Sequence, residues 1–341
     1  MLRRFFVLLG RYGIYFLVFL IGWLATYSWF KKNFLEAYTP GSVEVVNFEV
    51  PKGASFTAVA EDLEKRKLLR WYYTLVFLSK MRAGGDKIIA GEYEVSPGMT
   101  PAKLLDVLVS GNVLKHNLTI PEGTTVSELP KVMAKTSLVT EAEAAAALND
   151  RALLMQLSIP SLTPEGFLFP ETYSFSRPVT AREIVERIVE EGRKRLDERL
   201  KGWKERGQQL GFTPYQVLVL ASIIEKETGK ADERGVISSV FHNRLRIAMP
   251  LQSDPTVIYG VPNFDGNLTK EHLKTPGPYN TYLNTGLPPT PICNPGIEAI
   301  KAAVYPEDTD YLYFVGKGDG SHHFSATYKE HQRAVVNFQR R

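Results

Sequence analysis

The sequence predicts an α+β protein on a single N-terminal transmembrane helix, with a small α+β module followed by a mixed α/β C-terminal domain. Three features carry this reading. An uncharged apolar run lies near the N-terminus, a strand–turn–helix pattern recurs after it, and a well-capped apolar helix ends in two glutamates.

The apolar run is YGIYFLVFLIGWLATYSWF, residues 12–30, with no charge. At about 1.5 Å per residue it spans roughly 28 Å, close to the hydrocarbon thickness of a bilayer. Arg3, Arg4 and Arg11 precede it, and Lys31 and Lys32 follow with Glu36 close behind. That small bias favours an N-terminus kept in the cytoplasm. A cleaved signal peptide is the competing reading. The run is longer than the usual apolar region of such a peptide, and no small-x-small site follows before the lysines. The expected organisation is therefore a cytoplasmic tail (1–11), an uncleaved anchor (12–30) and a linker (31–42), with the rest outside the cytoplasm.

Composition narrows the rest. Of 341 residues 44% are hydrophobic and 23% charged, which is ordinary globular protein. A net charge of +4 suits a membrane or a polyanionic wall polymer and is too weak to argue for nucleic acid. Cys293 is the single cysteine, so neither an intramolecular disulfide nor a cysteine-based zinc site can form.

The recurring pattern is a strand, a Pro/Gly turn, a Ser/Thr cap and a helix. Its three copies open at Val50-Pro51-Lys52-Gly53-Ala54-Ser55, Ser96-Pro97-Gly98-Met99-Thr100 and Ile120-Pro121-Glu122-Gly123-Thr124-Thr125. They follow strand-like stretches at 43–50, 91–95 and 116–120. Two copies with an additional helix at 71–81 make a small module over 43–117. Further on, 140–157 reads as an alanine-rich helix and 180–208 as a charged helix with a solvated face. Between them, Glu165-Gly166-Phe167-Leu168-Phe169-Pro170-Glu171-Thr172-Tyr173 fits either a sugar groove or a core strand with surface acids.

The chemistry is expected at the next helix. Thr213-Pro214-Tyr215-Gln216 supplies a cap, a proline at the first helical position and a capping box. The run 217–224 is apolar nearly all round, so this helix is buried. Glu225 and Glu227 sit on its last turn, and Gly229 is placed to stop it. Carbonyl dipoles and desolvation both disfavour negative charge there, so an enclosed carboxylate has a raised pKa. A glutamate protonated near neutral pH is what glycosidic cleavage needs. The two acids lie about 200° apart on the helix and cannot act as one pair. Spacing alone leaves open which of them matters.

The motifs LASIIEKETG (220–229), VFHNRL (240–245), LQSDPTVIYG (251–260), YNTYLNTGLPPTPICNPG (279–296) and YLYFV (311–315), with EGFLFPETY, resemble the YceG/MltG family of endolytic murein transglycosylases. The resemblance covers essentially the whole chain. It implies a LysM-like module over 43–117 and a catalytic domain over 118–341. It also implies Glu227 as the catalytic acid/base, with Thr228 resembling the serine of the Glu-Ser pair in other lytic transglycosylases. The implied reaction cleaves the β-1,4 bond between N-acetylmuramic acid and N-acetylglucosamine to a 1,6-anhydro end, without water. Gln252, Ser253, Asp254, Tyr259, Asn280, Thr281 and Tyr282 are the implied substrate-binding residues. Asp254 is also weighed as a partner acid, although its Ser-Asp-Pro-Thr context favours a helix cap or turn. Gly286-Leu287-Pro288-Pro289 reads as a rigid loop shaping the groove. His322, His323 and His331 show no acidic partner in sequence, so no metal and no cofactor are expected. The expected partners are peptidoglycan glycan strands, the membrane and synthases of the wall. The competing function is a non-catalytic peptidoglycan-binding scaffold, and a water-using muramidase is a third.

Overall fold

The computed structural model of the protein describes residues 2–82 and 87–339, with side chains described from Tyr12 onward. The side chains of Arg3, Arg4 and Arg11 thus lie outside the described residues. The chain divides into two compact units, 1–116 with 176–178, and 117–175 with 179–341.

The first unit opens with a helix, Leu2–Phe30, that runs into a wider π-helical turn, Lys31–Leu35. Tyr12–Leu35 is long and apolar enough to cross a membrane. The expected linker therefore begins as a continuation of the helix. Strands β1 (Val46–Val50) and β2 (Gly91–Val95) pair antiparallel, with Phe48 opposite Tyr93. Between them lie helices Phe56–Lys65 and Tyr72–Met81, and Pro101–Ser110 follows β2. Ser55 and Thr100 cap the first and last of these by accepting from Ala58 N and Lys103 N. Phe48, Leu63, Leu75, Tyr93, Leu104 and Leu108 form the unit's core.

The third copy of the pattern does not repeat the device. Thr124 turns its hydroxyl back to the carbonyl of Pro121, and the next helix, Leu129–Ala134, starts without a side-chain cap.

In the second unit, β3 (His116–Thr119), which starts at the boundary, pairs with β4 (Thr172–Phe175). Leu118, Ile120, Leu129, Leu148, Tyr173 and Val185 make the core beneath them. The segment expected as one helix over 140–157 is two, Glu141–Leu148 and Arg151–Gln156, because Asp150 caps the second through Ala152 N and Leu153 N. The helix expected over 180–208 also divides, into Ala181–Arg199 and Trp203–Gln209. Gly202 sits between them at φ 76, a conformation that ends helices and suits glycine.

A second core in this unit surrounds the helix Pro214–Glu227, whose residues from Val217 to Ile224 are all buried. Helices Arg234–Arg246 and Ile297–Val304 pack on it. Each fully buried aliphatic side chain contributes about 1.5–3 kcal/mol, so this helix is a rigid support for what its end carries. The antiparallel hairpin of β5 (Tyr313–Gly316) and β6 (His322–Ser325) and the helix Tyr328–Gln339 complete the chain.

Candidate active site

The supporting helix begins as its sequence predicts. Thr213 Oγ1 accepts from Gln216 N at 3.2 Å, Gln216 Oε1 accepts from Thr213 N at 2.9 Å, and Pro214 takes the first helical position. Its end differs from expectation. Thr228 turns extended at φ −144 and ψ 137, and Gly229 takes no left-handed conformation. The stop comes from Thr228, whose Oγ1 accepts from Lys230 N at 3.0 Å. Glu227 is thereby the last helical residue, where the carbonyl end of the helix disfavours its charge.

The Glu227 carboxyl is partly buried and takes a short hydrogen bond from Ser253 Oγ to Oε1. Oε2 accepts no hydrogen bond from the described residues. Burial pushes this carboxyl up to about 7, and the nearby charge of Asp254 acts in the same direction. The Ser253 hydrogen bond and the Arg244 cation oppose the shift and lose to desolvation.

Ser253 belongs to a platform tied together by Thr281. Thr281 O accepts from Gln252 N at 2.9 Å, and Thr281 Oγ1 accepts from Ser253 N at 3.0 Å. Thr256 Oγ1 lies 2.8 Å from the same hydroxyl. Gln252 is exposed and held at φ 50, a conformation that costs a non-glycine residue about 1–3 kcal/mol and that surrounding contacts must impose. The short helix Asp254–Gly260 starts here with Ser253 at its N-cap position, yet the serine turns to Glu227 instead of capping. Asp254 is thus the first helical residue and not the cap that its context favours. Its Oδ1 accepts from Tyr282 Oη at 2.6 Å.

The fold therefore brings Glu227, Gln252, Ser253, Asp254, Thr281 and Tyr282 together. Asn280 and Tyr259 make their hydrogen bonds away from the Glu227 carboxyl. The buried Asn280 amide donates to Thr275 O at 2.8 Å and Leu273 O at 3.1 Å, and its Oδ1 accepts from Tyr282 N at 2.9 Å, so it fastens the loop that presents Tyr282. Tyr259 donates to Glu165 Oε2 at 3.1 Å and stands edge-on to Tyr279, 4.9 Å between centroids.

Glu225 faces elsewhere, as the helical angle requires. It accepts from Gly296 N at 2.9 Å and lies 3.8 Å from Arg234. Burial raises its pKa.

Two residues of this region were not singled out by sequence reasoning. Glu165 is 1% exposed and accepts from Val126 N at 3.1 Å, from Tyr259 and from Asn294 Nδ2 at 3.3 Å. Burial also pushes it up to about 7. It lines a cavity of about 1230 Å³ with Lys226, Tyr259, Thr125, Phe264 and Ile292. Arg244, also buried, donates to Leu251 O at 2.6 Å, just before Gln252, and to Leu312 O at 2.6 Å.

Phe169 and Tyr173 of the EGFLFPETY segment are core residues, and Glu171 pairs with Arg195 and Arg199. The loop Gly286, Leu287, Pro288 and Pro289 lines a cavity of about 950 Å³ with Gln216 and His242. His322 does have an acidic partner, Glu233, 2.6 Å from its Nδ1, brought from a distant helix start. His331 stacks on Tyr313. No group of three or more His, Cys, Asp or Glu among the described residues is arranged to hold a metal ion.

The chain is 32% identical over 91% of its length, and 89% of the relative's, to a Bacillus subtilis protein named endolytic murein transglycosylase. A Streptococcus pneumoniae protein of the same name is 28% identical over 86% of this chain, which spans 58% of that longer relative. The crystal structure of a putative yceG-like protein from Listeria monocytogenes matches with a TM-score of 0.58 and 31% identity, over 86% of this chain and all of that one. Residues 48–337 match the YceG-like family, and the chain belongs to it.

Proposed function

We propose that this chain is a membrane-anchored lytic transglycosylase that cleaves within peptidoglycan glycan strands, with Glu227 as its one acid/base. The observation that carries the reading is the state of Glu227. Its pKa of about 7 keeps a proton available near neutrality, one oxygen is oriented by Ser253, and the other accepts no bond from the described residues. The names of the relatives in Bacillus subtilis and Streptococcus pneumoniae support the substrate class.

In this reading Glu227 protonates the oxygen leaving from the β-1,4 bond between N-acetylmuramic acid and N-acetylglucosamine. Now a base, it takes the proton of the C6 hydroxyl as that oxygen closes on C1, giving a 1,6-anhydro end. The nucleophile belongs to the substrate, so effective molarity replaces a second carboxylate and its water. Gln252, Asp254 and Tyr282 contact the sugars, and Thr281 and Asn280 hold them in place. Tyr259 serves through Glu165. The anchor puts residues 118–341 on the outer face of the inner membrane, near nascent strands and their synthases, where cleavage sets strand length. The β1–helix–helix–β2 order supports reading 43–117 as a LysM-like module.

Asp254 sets up the one rival mechanism, because its charge reaches Glu227 and a second acid would let water attack. Borohydride treatment of the products separates the two. A hydrolase leaves a reducing end that takes up hydride, and an anhydro end does not. Binding of strands without any cleavage would leave a scaffold.

A further inference from the structure

The helix Tyr72–Met81 buries Leu75 in the core yet is also apolar on its outer side. Its buried side includes Thr74 and Ser79, at 0% and 3% exposure, while Tyr73, Phe77 and Met81 stand out at 51%, 52% and 72%. Among the described residues the enclosed Thr74 hydroxyl has no hydrogen-bond partner, and Ser79 donates to its own helix, at Val76 O. Residues four apart are offset by about 40°, so Tyr73, Phe77 and Met81 form one apolar stripe. A helix lying against water is expected to carry polar residues on that outer side.

The stripe lies beside the anchor. Phe34, at the outer end of the span Tyr12–Leu35, contacts Phe77 with 5.8 Å between ring centroids and Trp71 with 6.2 Å. Trp29 packs edge-on to Trp71 at 5.2 Å. Side chains that touch the end of a membrane span lie at the depth of the lipid headgroups, where aromatic rings are favoured. Lys32, two residues before Phe34, and Lys80, three residues after Phe77, are exposed, and long cationic side chains reach lipid phosphates while their stems stay in apolar surroundings.

We propose that the Tyr73–Phe77–Met81 face is a second membrane contact, lying in the interface of the bilayer that the anchor crosses. This rests on the anchor reading proposed above. The helix then fixes the orientation of its unit on the membrane instead of leaving it to swing on a flexible stalk. Its occupant is lipid and not a second protein.

The test uses the full chain in nanodiscs of mixed anionic and zwitterionic lipid. An environment-sensitive fluorophore is attached at Phe77→Cys or Met81→Cys, with the buried Cys293 left in place, and quenched by lipids carrying bromine in the upper acyl chain. Val18→Cys reports the anchor and Glu94→Cys, on exposed sheet surface, reports water. We expect loss of most emission at 77, 81 and 18 and none at 94. Tyr73→Cys reads the same stripe where either substitution fails to fold. Quenching at 18 without quenching at 73, 77 or 81 overturns this proposal and leaves the anchor standing. No quenching at 18 removes both. A blue-shifted but unquenched probe at 77 means that protein covers the face, which also overturns it.

Discussion

Glu227 and Glu165 are two glutamates that burial pushes to about the same pKa, near 7, and they are wired in opposite ways. Glu165 is 1% exposed and its oxygens are occupied by Val126 N, Tyr259 and Asn294. It ties the turn after β3, the loop around Asn294 and the short helix Asp254–Gly260 to one another. Glu227 is held by one serine hydroxyl and keeps an oxygen that accepts nothing from the described residues. A raised pKa thus marks both a fastening and a candidate catalyst. What separates them is the number of hydrogen bonds already made, since an acid with every acceptor occupied has no way to reach a substrate oxygen.

Substitutions can break or sharpen this contrast. Glu227→Gln has the largest expected effect, a fall in kcat of about 10²–10⁴-fold with the fold intact, measured as turnover beside thermal melting. Glu165→Ala should do the reverse. It removes the acceptor shared by Val126 N, Tyr259 Oη and Asn294 Nδ2 and should lower stability by roughly 2–5 kcal/mol, read by denaturant titration.

The pH dependence of stability sharpens the pair. Each carboxyl holds its proton more tightly folded than unfolded. Its contribution is therefore fully present below about 4.5 and is lost as pH rises through about 7. Glu165→Gln should flatten the fall in Tm across that window while leaving kcat within about tenfold of wild type. Ser253→Ala removes a hydrogen bond that favours the carboxylate. It should move the alkaline limb of the rate profile to higher pH, by up to about one unit. Tyr282→Phe is the smallest change, a rise in KM of about 2–10-fold from the loss of the hydroxyl that orients Asp254.

The parts of this arrangement that were legible in sequence are local. The capping box at Thr213, the buried run after it and the opposite facing of Glu225 and Glu227 follow from spacing on one helix. Ser55 and Thr100 were legible for the same reason. Two helix breaks were signalled and passed over, by Asp150 as a cap and by Gly202 as a stop, because the charged and alanine-rich runs around them continue the helical pattern. Glu165 was not legible as a fastening, since its partners Asn294 and Tyr259 come from distant segments and no spacing relates them. Arg244 left a trace. It falls on the stripe Ile237, Val240, Phe241, Arg244, where a cation on a buried face needs carbonyls to receive it, and Leu251 and Leu312 supply them. The stop at Gly229 was misread because Thr228 ends the helix in an extended conformation that no glycine is needed to reach.

The central claim is that Glu227 and not Glu165 carries the proton. The most direct test is mass spectrometry of glycan strands digested by the wild-type chain, Glu227→Gln and Glu165→Gln side by side. The account predicts anhydro-ended fragments from wild type and Glu165→Gln and none from Glu227→Gln. Anhydro-ended fragments from Glu227→Gln at the wild-type rate would contradict it.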